Sequence, residues 1–156
     1  MVDISRSARN IEPSSRKGVG TAIAHHGELL QGVFEDENGR LHRGLVTLPL
    51  PGMTSQATFI GAHSSAVTVR PDGKAKASAA ARLTLDHLAV AEGGALDIRS
   101  DIPIGQGYGS STAEVVAAIR AVAAAYGAHL VSSRIGRLAV AAEQASDAIA
   151  FDGHAV

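Results

Sequence analysis

The sequence predicts an α+β domain in which a mixed or antiparallel sheet is covered by helices. Strand-like segments, rich in β-branched residues and bounded by turn residues, fill the first half of the chain. Segments with apolar residues at helical spacing fill the second half, and one more strand-like segment lies between them. A length of 156 residues fits a single domain of this kind.

A hairpin is the clearest element of the first half. Asn38-Gly39 is a strong signal for a type I′ turn. The apolar runs around Val33-Phe34 and Leu45-Val46 are expected to pair across that turn. Two further strands are predicted over residues 55–62 and 64–71, because both segments are rich in residues that favour extended backbone.

The second half is predicted to contain three helices and a strand. A helix begins at residue 74 and is expected to stop at Gly93-Gly94, and a strand over residues 95–104 follows. Two more helices are predicted over residues 112–127 and 132–151. Each of these segments has an apolar stripe at spacings of three and four, which is the pattern of a helix with one buried face.

Composition excludes several classes of protein. A net charge of -1 and an aromatic content of 3% argue against nucleic acid as a partner. The chain has no cysteine, so disulfides and Cys-based zinc sites are ruled out. No apolar stretch has the length of a membrane span or the pattern of a signal peptide, so no membrane partner and a cytoplasmic location are expected. Residues 1–17 are expected to form a flexible tail and residues 18–156 the domain itself.

A glycine-rich stretch lies between the predicted strand over 95–104 and the following helix. Gly105, Gly107 and Gly109 permit positive φ angles and a close approach of backbone N–H groups to a ligand. Ser111 and Glu114 have the spacing of a capping box at the start of the helix. A helix N-terminus favours an anion, and hydroxyls beside it suit the Mg²⁺ of a polyphosphate. The alternative is a tight turn in which the glycines serve backbone geometry alone.

The same stretch resembles a longer pattern. "PIGQGYGSSTA", residues 103–113, is similar to the P-x-x-x-G-x-G-S-S-x-A motif of the GHMP small-molecule kinases. "GELLQG", residues 27–32, resembles an element of the L-threonine kinase branch, which serves cobalamin biosynthesis and propanediol utilisation. "AEQASD", residues 142–147, resembles the helix on which the family carries a metal-binding glutamate. A Walker A loop is excluded because the stretch has no lysine.

The resemblance implies a fold, a pair of cofactors and a set of residues for them. The fold is the GHMP-kinase N-terminal domain, which is shared with a ribosomal protein domain, and the cofactors are ATP and Mg²⁺. Ser111 and Glu143 would be the metal ligands. The residues expected to bind the nucleotide are Pro103, Gly105, Gln106, Gly107, Tyr108, Gly109, Ser110, Ser111 and Thr112.

The resemblance also implies residues for the acceptor side. Asp147 is the candidate for a catalytic base, one helical turn after Glu143, and Asp152 is the alternative. Glu28 is expected to face the acceptor or the nucleotide, and Gln31 adds a hydrogen bond. The competing interpretations are a solvated acidic helix face and a strand-end turn with two polar side chains.

Two adjacent histidines precede the "GELLQG" element. His25 and His26 would point to opposite faces of a strand, so they are not expected to bind one metal ion. Either one of them lines the site, or one is packed in the core and the other is exposed.

GHMP kinases are longer than this chain and have a second, C-terminal domain, of which no counterpart is found here. The resemblance therefore implies the N-terminal half of a kinase, with the other half in cis or in trans. We expect a small-molecule hydroxyl acceptor, namely L-threonine or a similar hydroxy-amino acid. An exposed apolar face that favours a homodimer is also expected. Two other classes stay open, a non-catalytic nucleotide- or phosphate-binding module and an RNA-binding domain.

Overall fold

The computed structural model describes residues 16–143, apart from the side chain of Glu28. The predictions for residues 1–15 and for the region after Glu143 lie outside the described residues. In chain order the elements are β1 (Lys17–Glu35), β2 (Leu41–Ala62), β3 (Val67–Arg70), α1 (Ala75–His87), β4 (Gly93–Ser100), α2 (Ser110–Ala125) and α3 (Ser132–Glu143). The predicted α+β class is confirmed, and β1 already begins at the last residue of the predicted tail.

The four strands form one mixed sheet in the order β1-β2-β4-β3. β1 pairs with β2, and β2 pairs with β4, in antiparallel fashion. β3 runs parallel to β4, because α1 connects the two as a crossover helix. β1 and β3 are therefore the edge strands of the sheet, and β1 and β2 are its two longest strands.

The predicted hairpin is present, but the predicted type I′ turn is wrong. Type I′ requires a positive φ at both central residues, whereas only Gly39 has one, at 76°. The Asp36 carboxylate accepts hydrogen bonds from the N–H groups of Asn38 and Arg40, which stabilises a turn from Asp36 to Gly39. The hydrogen bond with His42, followed by that with the Arg40 N–H, holds the pKa of the Asp36 carboxyl below its usual range.

The two predicted strands of this hairpin pair with each other, but Val33-Phe34 does not lie directly opposite Leu45-Val46. Val33 lies opposite Arg43, and Phe34 lies opposite His42. Val46 lies opposite Leu30, farther from the turn, with register shifts between Ile23 and Ala24 and between His26 and Leu30. Several large apolar side chains on this pair of strands are exposed: Leu29, Leu30, Val33, Leu41 and Leu48.

The core lies between the sheet and the helices, and α2 is its centre. Nine of the ten consecutive residues that begin at Thr112 in α2 are buried, and the burial continues to Ala123. Most residues of the helical stripes predicted from sequence are buried, and the others, Leu88, Tyr126, Leu138 and Ala142, are partly buried against the core. The members of those stripes with exposures of 5% or less are Ala77, Ala81, Leu85, Val115, Ile119, Val122 and Ile135.

α1 ends earlier than the sequence predicts. Its last residue is His87, and Ala89 has a φ of 55°, so the backbone leaves the helix before the two glycines. Gly93 and Gly94 belong to β4 instead, which corrects the prediction that they stop the helix. A Cβ on Gly94 would collide with the carbonyl oxygen of Ile60. These glycines therefore allow the strand to pack closely, and they do not end the helix.

Close contact between α2 and β1 also depends on glycine. A Cβ on Gly20 would collide with the backbone of Ala117 and Ala121, and one on Gly18 would collide with the backbone farther along α2. Both glycines are buried. Because neither has a side chain, the helix backbone can rest directly on the strand, and this contact sets the position of α2.

We predict that Gly20→Ala destabilises the domain by about 1–3 kcal/mol, because the new methyl group meets rigid helix backbone. The measurement is the free energy of unfolding in urea. Gly52→Ala is the matched control, since Gly52 is exposed and a Cβ there would have no atom within 4 Å. The control should change stability by less than about 0.5 kcal/mol. Equal stability of the two variants would contradict the role given to Gly20.

Candidate functional site

The glycine-rich loop connects the end of β4 to the start of α2. Gly105, Gly107 and Gly109 have φ angles of 75°, 77° and 66°, so the predicted positive φ is confirmed at all three. A Cβ on Gly105 or Gly107 would meet no atom within 4 Å. Backbone conformation, and not lack of space, therefore requires glycine at these two positions.

This loop is attached to β1 by backbone hydrogen bonds. The N–H of His25 donates to the carbonyl oxygen of Tyr108 at 3.2 Å, and the N–H of Gly27 donates to that of Gly107 at 3.3 Å. The rings of His26 and Tyr108 meet edge to face, with their centroids 5.4 Å apart. The segment "GELLQG" therefore begins beside the glycine-rich loop, and two of the three sequence motifs lie together.

The two adjacent histidines have different environments, as their opposite directions on a strand predict. His25 is 1% exposed, and its Nδ1 lies 2.6 Å from the Oγ1 of Thr47. His26 is exposed and contacts the loop through Tyr108. His26 is thus the histidine whose side chain lies beside the candidate site, and His25 is packed in the interior.

The predicted capping box at the start of α2 is wrong. Gly109 occupies the N-cap position with a left-handed backbone, and no side chain makes a capping hydrogen bond. Ser111 is inside the first turn, so its hydroxyl is directed to a neighbouring helix and does not accept from the backbone N–H of Glu114. The Ser111 Oγ donates to the Oε1 of Glu143 at 2.7 Å, and Glu114 pairs with Lys74.

The contact between Ser111 and Glu143 brings the two predicted metal ligands together. The Glu143 side chain is only 3% exposed, and Lys76 is the cation beside it, with its Nζ 3.4 Å from Oε1. The second oxygen, Oε2, is buried and has no hydrogen-bond partner among the described residues. A hydroxyl oxygen and a buried carboxylate, one of whose two oxygens has no partner, are a donor set that suits a hard divalent cation. The residues present therefore fit Mg²⁺.

Residues 16–143 contain no group of three or more His, Asp or Glu side chains arranged to hold a metal ion. A cation at Ser111 and Glu143 would therefore take its other ligands from phosphate oxygens and water. This arrangement is common for Mg²⁺, which is usually bound by one or two protein ligands together with the phosphates of the substrate.

A second ion pair lies next to this cluster. The Nζ of Lys74 lies 2.6 Å from the Oε1 of Glu114, and the two side chains are 19% and 8% exposed. The pair joins the start of α1 to the first turns of α2. Sequence reasoning missed both Lys74 and Lys76. The sequence did contain a signal for them. Glu114 lies in an otherwise apolar helical segment, so its carboxylate needs a cation when it is buried, and the chain has only three lysines.

The remaining predicted nucleotide-binding residues differ in accessibility. Gly105, Gln106 and Gly107 are exposed, whereas Thr112 is 6% exposed and is the only buried member of the nine. Glu28 lies in β1, but its side chain is outside what the structure describes. Asp147 and Asp152 lie outside the described residues. The structure thus brings the loop, Ser111 and Glu143 together, and it leaves the two acceptor-side assignments as predictions.

Comparison of the sequence with known families identifies the domain. Residues 75–152, half of the chain, match the N-terminal domain of the GHMP kinases. The chain belongs to the GHMP kinase family. The matched range contains the glycine-rich loop and both predicted metal ligands, and members of the GHMP kinase family are small-molecule kinases that phosphorylate hydroxyl groups of metabolites.

Solved structures share the GHMP kinase fold at low sequence identity. A mevalonate kinase matches with a TM-score of 0.61 and 19% identity, over 81% of this chain and 46% of that one. A homoserine kinase from Cytophaga hutchinsonii has a TM-score of 0.57 and 16% identity, over 88% and 44%. A mevalonate 5-diphosphate decarboxylase has a TM-score of 0.59 and 14% identity, over 90% and 45%.

These identities establish the fold and leave the acceptor of this GHMP kinase domain undecided. The chain spans a little under half of the length of the solved structures that it matches. Comparison with curated proteins gives no match. Within the described residues, no helix has both the length and the apolar character needed to cross a membrane.

We predict that Lys74→Met destabilises the domain by about 3 kcal/mol, because it leaves the buried Glu114 carboxylate without a cation. The double variant Lys74→Met/Glu114→Leu should recover most of that loss, since it removes the buried charge as well. Urea unfolding of both variants measures the effect. Lys17→Met is the control, because Lys17 is an exposed lysine at the start of β1. A double variant as unstable as the single one would contradict the assignment.

Proposed function

We propose that this GHMP kinase domain binds ATP with Mg²⁺ and contributes to the phosphorylation of a hydroxyl group on a small metabolite. One observation carries the proposal. The Ser111 hydroxyl and the Glu143 carboxylate meet at 2.7 Å in the first turn of α2, directly after a loop with three glycines at positive φ. This arrangement supports a cation site beside a phosphate site, as phosphoryl transfer from ATP requires.

The phosphate site is formed mainly by backbone. The first N–H groups of a helix have no partner within the helix, and the helix dipole adds positive potential at the same end. α2 begins at Ser110, and the exposed Gly105–Gly107 segment of the loop lies just before it. Backbone N–H groups of this loop and of the first turn of α2 would therefore hold the ATP phosphates.

Ser111 and Glu143 would hold the metal ion. When bound, Mg²⁺ supplies charge neutralisation of the phosphates during transfer. The role of this chain is to place a buried carboxylate and a hydroxyl where that ion is needed. Because Glu143 is only 3% exposed, it is held in position by packing and by its hydrogen bond to Ser111.

The acceptor side of the proposal rests on sequence resemblance. Asp147, four residues after Glu143, is proposed as the base for the acceptor hydroxyl. Glu28 belongs to the "GELLQG" segment, whose first residue, Gly27, is hydrogen bonded to the glycine-rich loop. This proximity supports an acceptor pocket between β1 and the loop. A C-terminal domain, in cis or in trans, would complete that pocket.

The first prediction for this function concerns nucleotide binding. Titration calorimetry of the chain with a non-hydrolysable ATP analogue should show binding that depends on Mg²⁺. Ser111→Ala and Glu143→Gln should each weaken it by about tenfold, because each removes one of the two protein ligands. Ser133→Ala, an exposed serine at the start of α3, is the control and should bind like the wild type. Binding of equal strength with and without Mg²⁺ in all four proteins would contradict the metal site.

The second prediction concerns the acceptor, for which we propose L-threonine on the resemblance of "GELLQG". A gene product that contains this sequence together with a second GHMP domain should form ADP from ATP when L-threonine is added. L-Homoserine is the matched control, because it has the same composition and carries its hydroxyl on a different carbon. Faster turnover with homoserine than with threonine would contradict the proposed acceptor and leave the kinase assignment intact.

A further inference from the structure

Lys76 is a charged residue beside the candidate metal site that the proposed function does not yet use. Its ammonium group lies 3.4 Å from the Oε1 of Glu143, the oxygen that also accepts the hydrogen bond from Ser111. The two partners of this ion pair differ greatly in accessibility. The Lys76 side chain is 56% exposed, whereas that of Glu143 is 3% exposed.

This difference determines what each partner can do. A buried carboxylate needs a cation nearby, because removal of its charge from water is unfavourable. A largely exposed lysine is held only weakly by one ion pair at this distance, and its side chain is long and flexible. Glu143 therefore depends on a cation, while Lys76 is able to leave. In the structure, Lys76 is the cation beside Glu143.

The neighbouring lysine shows the opposite behaviour. Lys74 precedes α1 and forms a shorter contact, 2.6 Å, with Glu114, and both side chains are largely buried. That pair anchors the start of α1 to α2. Lys76, the second residue of α1, is thus attached to a fixed helix end, and only its side chain is free to change partner.

A divalent cation on Glu143 would change the balance of charges. Two cations that share one carboxylate group repel each other at short range. Mg²⁺ bound to Glu143 and Ser111 would therefore displace the Lys76 ammonium. In the proposed function, the phosphates that accompany Mg²⁺ would lie at the same helix N-terminus, where the displaced ammonium would meet them.

We propose that Lys76 is a movable counter-ion. It neutralises Glu143 when no metal ion is bound there and transfers to the nucleotide phosphates when Mg²⁺ binds the carboxylate. The inference rests on the proposed function, since it requires an ATP site at the start of α2. It adds a phosphate-contacting residue from α1 to a site otherwise formed by the glycine-rich loop, α2 and α3.

The test measures affinities of the 156-residue chain for a non-hydrolysable ATP analogue and for AMP, both with Mg²⁺, by calorimetry. Lys76→Met should weaken binding of the triphosphate by about tenfold. Binding of AMP should be unchanged, because AMP lacks the phosphates that the ammonium would reach. Lys76→Arg should keep most of the affinity, since it retains the charge. Lys17→Met removes the same charge at the far end of β1 and should have no effect on either ligand.

The outcomes separate this inference from the proposed function. A wild-type chain that binds the triphosphate analogue, together with a Lys76→Met variant that binds it equally well, would overturn the inference alone. Equal losses for the triphosphate and AMP would also overturn it, because a structural defect and not a phosphate contact would then explain the effect. A wild-type chain that does not bind the analogue would overturn the proposed nucleotide site itself.

A spectroscopic readout tests the movement directly. The chain has only three lysines, Lys17, Lys74 and Lys76, so reductive methylation with ¹³C-formaldehyde gives few NMR signals, which the Lys→Arg variants assign. Addition of Mg²⁺ and the analogue should shift the Lys76 signal and leave that of Lys17 in place. An unchanged Lys76 signal under saturating nucleotide would overturn the proposed transfer.

Discussion

The direct contact of the α2 backbone with β1 is the constraint on which the rest of the domain depends. Gly18 and Gly20 leave no side chain between the strand and the helix, so α2 lies against the sheet over most of its length. The position of the helix also sets the position of its N-terminus. The glycine-rich loop must then cross to β1, where two backbone hydrogen bonds hold it. A packing contact in the core thus places the loop at the edge of the sheet.

Charge burial gives the candidate site its second characteristic. Two glutamates, Glu114 and Glu143, are nearly inaccessible, and each is paired with a lysine from the start of α1. One pair is tight and buried on both sides, which suits a structural role. The other has a buried carboxylate and an exposed ammonium, which suits a carboxylate that exchanges one cation for another. The two pairs are adjacent in the fold and differ in the accessibility of the lysine.

The match to the GHMP kinase family and the contacts of β1 with the glycine-rich loop are separate observations. The family match rests on residues 75–152, and β1 with its "GELLQG" segment lies outside that range. β1 nevertheless contacts the loop through His25, His26 and Gly27. The fold is also found in a mevalonate 5-diphosphate decarboxylase, so the fold alone does not identify the reaction.

The sequence by itself determined the features that depend on local backbone preference and periodicity. The α+β class, the buried helical stripes and the positive φ of Gly105, Gly107 and Gly109 all belong to this group, because each follows from residues close together in the chain. The tertiary structure alone decided the partners of Ser111, Lys74 and Lys76, which lie 32, 40 and 67 residues away. It also placed Gly93 and Gly94 in a strand, where a Cβ would collide with a carbonyl oxygen of a neighbouring chain segment. Such contacts are set by how α1, α2, α3 and the sheet pack together, and no local pattern encodes them.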